Sequence, residues 1–499
     1  MCGIGYIFAK DTNGVAEAQD GAVVLNSLKH RGSDAAGAII SSGGTGYTEI
    51  RTNLGVDENF LAMARLMRVH HPGVLQDARQ DVRVCLHNRY TTDDDAHNPH
   101  NGQPMRVGDK GARLKLAFNG NAPNHLEIRK EKLAGEVSFQ TLGDTETLAR
   151  FMLQRILTAM QTSSGNVRHS IREAVKEVLD VFRGGYSVVG DFGGEVFAFK
   201  DAYGIRPLAL GRKNGAMIMA SEDYFFPEIG YEYSGELPNG HLLMVGPGDS
   251  LDGEYTPEPE NLLTENITAH PDCFEFVYLA NRLSKLFGVS VEKIRKSLGA
   301  YAIRELLQTP GNHTYGKVIA VPNGANDMKK GARGVLGLSN DTPNGLKKVL
   351  DVRTFIARTQ EERERLVAMK FRTIPEGIDR ESNLLIDDSI VRGTTMKVLA
   401  KKLDESGAGN IQVLSSSPMV QFGDRYGIAM STTQLVARDE SDGRILTTEE
   451  IEGKLFYDRN GRQFARLFFP SLAGFRQVFA DHGIPKIHDG YFSGEFCNG

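Results

Sequence analysis

The sequence predicts an α/β protein in two dissimilar units: an α+β unit of antiparallel sheet layered with helices, then a unit built on a parallel sheet. Three observations carry that expectation. Glycine-punctuated apolar strands fill the first half, strand–turn–helix alternation fills the second, and a stretch rich in Gly, Pro and Glu separates them. The length, 499 residues, also exceeds what one hydrophobic core organises.

Taken in order, GIGYIFA (3–9), KLAFNGN (115–121), YSVVGDFGGEVFAFK (186–200) and GAMIMAS (215–221) read as strands. Helices are read over AEAQDGAVVLNSLKH (16–30) and DTETLARFMLQRILTAM (144–160), where Leu148, Met152 and Ile156 recur at four-residue spacing. Between His241 and Thr264, MVGPGDSLDGEYTPEPENLLT reads as a linker. That sets domains at 2–250 and 265–470, with a C-terminal extension over 471–499. Beyond the linker, GKVIAVP leads into NGANDMKKGARGVLG, and SNLLIDDSI into VRGTTMKVLAKKLDESG. In the last segment Met396, Leu399 and Leu403 share a helical face, and Gly407 stands at a C-cap position.

Composition excludes several classes of function. A net charge of -5 does not suit a nucleic-acid footprint, which needs a basic excess. Four scattered cysteines (Cys2, Cys85, Cys273, Cys497) form no C-x-x-C pair, the pattern of a reduced, cytoplasmic protein. Neither a secretory start nor a run of about 18 apolar residues is present, so no membrane span is expected.

The run LLIDDSIVRGTT, Leu384 to Thr395, carries the clearest chemistry. Its apolar half reads as a buried strand, and Asp387 and Asp388 emerge at the carboxyl end. Paired acids there can take the two hydroxyls of a ribose, directly or through a hydrated Mg²⁺. Arg392, Gly393, Thr394 and Thr395 then open a helix, where backbone N–H groups, hydroxyls and the helix dipole make a phosphate pocket. An isolated acidic pair would more simply end a strand, and a threonine more simply cap a helix. The complete run points instead to a ligand.

This run resembles the ribose-phosphate motif of phosphoribosyltransferases, and IDDSIVRGTT is similar to the form found in the glutamine phosphoribosylpyrophosphate amidotransferase family. The resemblance implies a type I phosphoribosyltransferase domain. It would hold phosphoribosyl pyrophosphate (PRPP) through Asp387, Asp388, Ser389, Arg392, Gly393, Thr394, Thr395 and Lys370, with Mg²⁺ on Asp387 and Asp388. It also implies a class II glutaminase, an αββα sandwich whose nucleophile is an N-terminal cysteine.

Cys2, followed by Gly-Ile-Gly, meets that demand. Removal of Met1 would leave one residue carrying both thiol and α-amine, and an amine with a reference pKa of roughly 7.7–8.0 can activate the thiol near neutrality. A cysteine at position 2 says little by itself. Behind it, His30-Arg31-Gly32-Ser33-Asp34-Ala35-Ala36-Gly37 resembles the family's H-R-G-Q-D-S-A-G, and Arg89-Tyr90-Thr91-Thr92, Asn119-Gly120-Asn121 and Gly143-Asp144-Thr145-Glu146 resemble further glutamine-site segments. The resemblance gives Asn119 and Gly120 to the oxyanion, and Arg31, Arg89 and Asp144 to glutamine. An Asn amide with a glycine N–H suits a developing oxyanion, and a guanidinium suits a carboxylate. Asp201-Ala202-Tyr203-Gly204-Ile205-Arg206-Pro207-Leu208 and Ala220-Ser221-Glu222 extend the match.

The second half departs from the family in places. Val321-Pro322 is followed by Asn323-Gly324-Ala325 instead of Asp-Ser-Gly, and Asn281-Arg282-Leu283-Ser284 replaces R-P-D-S after Phe276–Ala280, which matches a family strand. Arg353-Thr354-Phe355-Ile356 resembles the start of a closing loop, and Lys370 stands where the loop's lysine belongs. Cys273 matches an iron–sulfur position, but Gly423-Asp424-Arg425-Tyr426-Gly427 replaces P-C-F-Y-G, so no cluster is expected. The expected activity is glutamine-dependent amination of PRPP to 5-phosphoribosylamine, glutamate and pyrophosphate, the first step of purine synthesis. Two alternatives stay open: a diverged paralogue aminating another acceptor, and a non-catalytic sensor of phosphoribosyl ligands. Purine nucleotide inhibitors, and a homotetramer or homodimer, are implied by the resemblance alone.

Overall fold

The computed structural model describes residues 1–12, 14–42, 46–52, 80–90, 99–109, 112–135, 138–251, 257–339, 343–350, 359–428 and 431–497. Its first strands are β1 (Gly3–Thr12), β2 (Ala35–Ser42), β3 (Gly46–Thr52), β4 (Gln80–Arg89), β5 (Met105–Gly108), β6 (Arg113–Asn121), β7 (Gly185–Phe192) and β8 (Glu195–Lys200). They are followed by β9 (Ala209–Lys213), β10 (Ala216–Ala220), β11 (Glu232–Glu236), β12 (His241–Val245) and β13 (Glu260–Asn261). These build two antiparallel sheets, ordered β11-β9-β10-β1-β4-β2-β3 and β13-β12-β8-β7-β6-β5.

Strand alternation decides how the sheets stack. Ile4, Tyr6 and Phe8 of β1 face Ala117, Val189 and Ala198 of the second sheet, while Ile7 and Ala9 turn towards α1 (Val15–Ser27). The far face of the second sheet packs on α3 (Asp144–Thr162) and α4 (Val167–Val181), beyond the short α2 (His125–Lys132). Leu148, Met152 and Ile156 are buried there, the face their spacing predicts. The result is helix, sheet, sheet, helix: the αββα sandwich.

The second half is a four-stranded parallel sheet, ordered β16 (Lys317–Ala320), β19 (Ser382–Asp387), β20 (Asn410–Ser415) and β21 (Ala465–Phe468). Two small hairpins, β14 (Lys285–Leu286) with β15 (Val289–Ser290) and β17 (Leu346–Lys348) with β18 (Phe371–Thr373), flank it. On one face lie α5 (Val291–Leu306), α6 (Asn326–Leu336) and α10 (Leu472–Asp481). On the other lie α7 (Gln360–Lys370), α8 (Thr394–Glu405) and α9 (Thr448–Leu455). Leu384 and Ile386 enter the first core and Leu385 the second, so the apolar run of β19 is buried on both sides. Gly407 follows α8 with φ +83, as its C-cap position requires.

Three expectations change. The segment read as a linker begins and ends as sheet, because β12 pairs with β8 and β13 with β12; its Pro and Gly residues decorate a hairpin rather than a domain joint. Phe276–Ala280, matched to a strand, lies in a helical turn over Glu275–Leu279 closed by the Ala280 N–H on the Glu275 carbonyl at 2.9 Å. The extension expected over 471–499 is, over its described residues 471–497, no appendage. Phe475, Val478, Phe479, Tyr491 and Phe492 complete a core, because Ser471 caps an amphipathic α10.

The C-terminal segment also brings His488 against Asp424, with Nε2 and Oδ1 3.7 Å apart and both side chains fully buried. Burial disfavours a charged ring, but Asp424, Cys497 and Asp272 outweigh it and raise His488 to about 9. The sign follows from linkage: stability from this proton is complete below the unfolded value near 6.5 and is lost as pH rises through about 9. It amounts to about 3 kcal/mol. Thermal unfolding of the native chain should therefore weaken between pH 7 and 9 more steeply than that of a His488→Gln variant.

Candidate active site

Cys2, the candidate nucleophile, stands immediately before β1. A Cβ on Gly3 would lie 2.9 Å from Leu28 Cβ, so glycine lets the strand press against the chain beside it. The Cys2 N–H donates to Asn119 Oδ1 at 3.2 Å, and the Cys2 carbonyl accepts from Arg31 Nε at 3.1 Å. Asn119 is wholly buried on β6, and its Nδ2 has no hydrogen-bond partner among the described residues. Leaving a buried donor unmet costs ~1–3 kcal/mol, which a ligand oxygen would recover. Gly120 follows at φ +148, with an added Cβ only 2.0 Å from the Gly185 carbonyl oxygen, so no other residue fits.

The remaining segments expected to bind glutamine are placed as follows. Arg89 ends β4, and Gly32 is pressed onto its backbone, where an added Cβ would meet the Arg89 carbonyl carbon at 2.6 Å. Thr91 and Thr92 lie outside the described residues. Asp144 opens α3 and accepts from the Ala122 N–H at 3.1 Å and the Thr145 hydroxyl at 3.2 Å. Burial raises its carboxyl, and His125 only partly offsets this. An ammonium group would relieve that cost.

Arg31 is placed differently from the expectation. Its guanidinium is fully buried and committed: Nη1 to Glu222 Oε1 at 2.9 Å and Nη2 to Glu275 Oε1 at 2.7 Å, with His30 Nε2 also on Glu222 at 2.7 Å. His30 and Arg31 hold Glu222 far below the usual carboxylate range despite its burial. A guanidinium held by two buried carboxylates has no fork left for a substrate carboxylate, so Arg31 braces Cys2 through its carbonyl.

Some 270 residues further on, the second site forms at the carboxyl end of β19. Asp387 and Asp388 are buried, and an added Cβ on Gly324 would lie 2.0 Å from Asp388 Oδ2. Burial, then the neighbouring Asp388, pushes Asp387 well up, and burial raises Asp388 to about 6 against the pull of Ser389 and Arg295. Gly393 turns the chain into α8 at φ +74, and Gln360 Nε2 donates to Thr394 Oγ1 at 3.1 Å. Arg392 donates to Gln434 and feels repulsion from Arg363, whose buried Nε has no hydrogen-bond partner among the described residues. Two guanidiniums beside a helix N-terminus make a strongly anionic-ligand site. Lys370 is not brought to it: Gln360 touches Thr394, and ten residues of α7 carry Lys370 ~15 Å away. The loop start at 353–356 lies outside the described residues.

A family model described as a glutamine amidotransferase domain matches residues 87–227. An amidophosphoribosyltransferase of Methanothermobacter thermautotrophicus is 30% identical over 433 residues, 86% of this chain and 83% of that protein. The chain belongs to the amidophosphoribosyltransferase family. The Saccharomyces cerevisiae amidophosphoribosyltransferase is 28% identical over 520 residues, covering 100% of this chain and 93% of that one. A B. subtilis glutamine PRPP amidotransferase, solved with ADP and GMP, superposes over 100% of this chain and 98% of its own at a TM-score of 0.76 and 25% identity. As an amidophosphoribosyltransferase the chain is a glutamine-dependent transferase of purine biosynthesis, and neither alternative acceptor nor sensor reading gains support.

Within this amidophosphoribosyltransferase the two halves meet beside Asn119 and Gly120. Arg206, the arginine of the DAYGIRPL run, crosses to Asp272 and to the Tyr426 carbonyl, and Asn121 Nδ2 donates to the Arg425 carbonyl at 2.6 Å. Sequence reading missed Glu275, Arg295 and Arg363. Arg363 carried a weak signal, a cation inside the lid-like segment; Glu275 and Arg295 carried none, because their roles depend on partners hundreds of residues away or across a turn.

Proposed function

We propose that Cys2, freed by removal of Met1, hydrolyses glutamine and that the ammonia aminates C1 of PRPP at the Asp387–Thr395 turn. The observation that carries this is the divided amide of Asn119, whose oxygen holds the Cys2 nitrogen while its N–H₂ group is buried with no partner among the described residues. The Cys2 α-amine takes the thiol proton and returns it to the departing nitrogen, so ammonia leaves and a thioester remains. Asn119 and Gly120 stabilise the oxyanion there, and water then releases glutamate. Asp144 is assigned the glutamine ammonium and Arg89 its carboxylate. Ammonia displaces pyrophosphate, while Asp387 and Asp388 take the ribose hydroxyls and Ser389 and Arg392–Thr395 take the 5-phosphate.

Two adjacent buried carboxylates beside a glycine cradle fit a hydrated Mg²⁺, which takes one or two protein carboxylates together with substrate phosphates. Bound there it would neutralise charge on the departing pyrophosphate. No iron–sulfur cluster is proposed: Cys273 Sγ faces Tyr491 Oη at 3.5 Å, in a pocket shared with Asp272. The ADP and GMP of the B. subtilis structure support purine nucleotides as inhibitors. A homo-oligomer and a cytoplasmic location remain our reading. Among the described residues no helix is long and apolar enough to cross a membrane, and the four cysteines are free.

Met1 is buried, and burial lowers its ammonium to about 6. It covers the nitrogen that must act as base. Intact-mass measurement of the active enzyme should show one methionine residue missing, and a variant that retains Met1 should lack glutaminase. The reading as a whole is tested by pyrophosphate release from PRPP with glutamine and, separately, with ammonium chloride. Failure with both would remove it. Arg363→Ala should raise KM for PRPP ~10-fold with either nitrogen source, as expected for one charge-assisted contact.

A further inference from the structure

Three successive backbone carbonyls stand immediately before Asp144, and all three meet side chains of α2. Arg129 Nη1 donates to the Thr141 carbonyl and Nη2 to the Gly143 carbonyl, each at 2.6 Å, and His125 Nε2 lies 3.0 Å from the Leu142 carbonyl. Arg129 Nε also donates to Thr147 Oγ1 of α3 at 2.6 Å, with its guanidinium 4.1 Å from the centre of the Phe139 ring. Gly143 is the extended N-cap of α3 and has no side chain to cap it, so the direction in which Asp144 leaves the turn is set by these outside partners. His125 reaches the other flank of Asp144 as well. Its Nδ1 lies 2.8 Å from the Ala122 carbonyl, and the Ala122 N–H donates to the Asp144 carboxylate at 3.1 Å. A carbonyl only accepts, so only the doubly protonated ring makes both His125 contacts at once.

We propose that His125 and Arg129 are positioning residues for the ammonium end of glutamine: by holding Thr141–Gly143 from α2 they aim the Asp144 carboxylate into the site. This rests on the assignment of Asp144 to the glutamine ammonium. The contacts are charge-assisted, so each is stronger than a neutral hydrogen bond to the same carbonyl. The positive ring of His125 does a second thing. It draws the Asp144 carboxyl down against the burial that raises it, and so keeps it ionised for an incoming ammonium. The other charges facing this pair are Arg129 itself and, on α3, Glu146 and Arg150, which are joined to each other at 2.7 Å. Glu146 is further occupied by the Gln140 and Thr141 N–H groups at 3.0 and 2.7 Å, so it holds the same turn from the opposite side.

The test uses the full chain with Arg129→Met, the milder His125→Gln, the charge-keeping His125→Lys, and Asp144→Asn as reference. KM for glutamine should rise ~10-fold in Arg129→Met and ~3–10-fold in His125→Gln, with kcat within about 2-fold, because a contact that serves binding alone is lost. The second readout is glutamine affinity against pH in a Cys2→Ala background, where glutamine binds without being hydrolysed. Affinity should fall as acid protonates Asp144. The fall should begin at higher pH in His125→Gln, where burial acts on Asp144 unopposed by that charge, and at the parent's pH in His125→Lys. Unchanged KM in both folded α2 variants, a loss confined to kcat, or the same acid fall in His125→Gln as in the parent would each overturn the proposal. If Asp144→Asn leaves KM for glutamine unaltered, the ammonium assignment fails and the proposal with it. A raised KM in Asp144→Asn but not in the α2 variants removes the proposal alone.

Discussion

A Cys2→Ala enzyme is expected to lose glutamine-dependent pyrophosphate release by at least ~10⁴-fold, the scale on which a covalent nucleophile is missed. Release driven by ammonium chloride should stay within about 2-fold, because the Cys2 hydrogen bonds found among the described residues run to Asn119 and Arg31 and not to Asp387 or Asp388. The size of the gap follows from how the site is built. Asn119 and Gly120 remain in the variant, but without a thiol they have no tetrahedral adduct to stabilise. Asn119→Ala should be milder, costing ~10²–10³ in kcat, because it removes one donor and leaves the nucleophile in place. It also removes the acceptor for the Cys2 nitrogen, so KM for glutamine should change as well. Both rates are read in coupled glutamate and pyrophosphate assays. A Cys2→Ala enzyme that keeps its glutamine-dependent rate would exclude this residue as nucleophile.

The difference between the two halves explains what could be read from the chain alone. Features set by local geometry were legible: Gly120 needs a positive φ, Gly393 turns into a helix at positive φ, and Leu384–Ile386 are apolar because both faces of their strand are covered. Residues whose partners come from elsewhere were not. Arg31 stands in a glutamine-site motif, and its buried link to Glu275 spans 244 positions. The segment over 241–261 carries loop-like composition, and its ends pair through His241–Asn261 and Leu242–Glu260. The altered residues near the diphosphate become intelligible in three dimensions: Arg282, absent from the family motif, makes two 2.9 Å contacts with Asp327 beside the loop that lost its own carboxylate. Gly324 is needed for clearance, since any side chain there would meet Asp388. A Gly324→Val substitution should therefore weaken PRPP turnover without affecting glutamine hydrolysis in the absence of PRPP.

Asp388→Asn is expected to separate activity from stability, moving them in opposite directions. With either nitrogen source kcat/KM for PRPP should fall ~10²–10³-fold, since on the proposed reading a charged ligand to the ribose hydroxyls and to Mg²⁺ would become neutral. The pH profile gives the mechanism. Asp388 is held at about 6 by burial, and its ionised form is the one that serves the ligand, so kcat/KM of the parent should rise with pH through about 6 and be lost below it. Burial, then the charge of Asp388, keeps Asp387 higher still. Removing that charge leaves burial, the larger cause, holding Asp387 up, so the variant should keep an acid limb. Stability runs the other way. A carboxyl whose folded value lies above its unfolded value of roughly 3.9 favours folding at low pH and weighs against it as pH rises towards 6. The parent therefore carries a destabilising buried charge at neutral pH that Asn lacks, and the variant should unfold at a higher temperature at pH 7.5 than the parent does. A loss of activity accompanied by a lower unfolding temperature would mean that Asp388 merely supports the strand end.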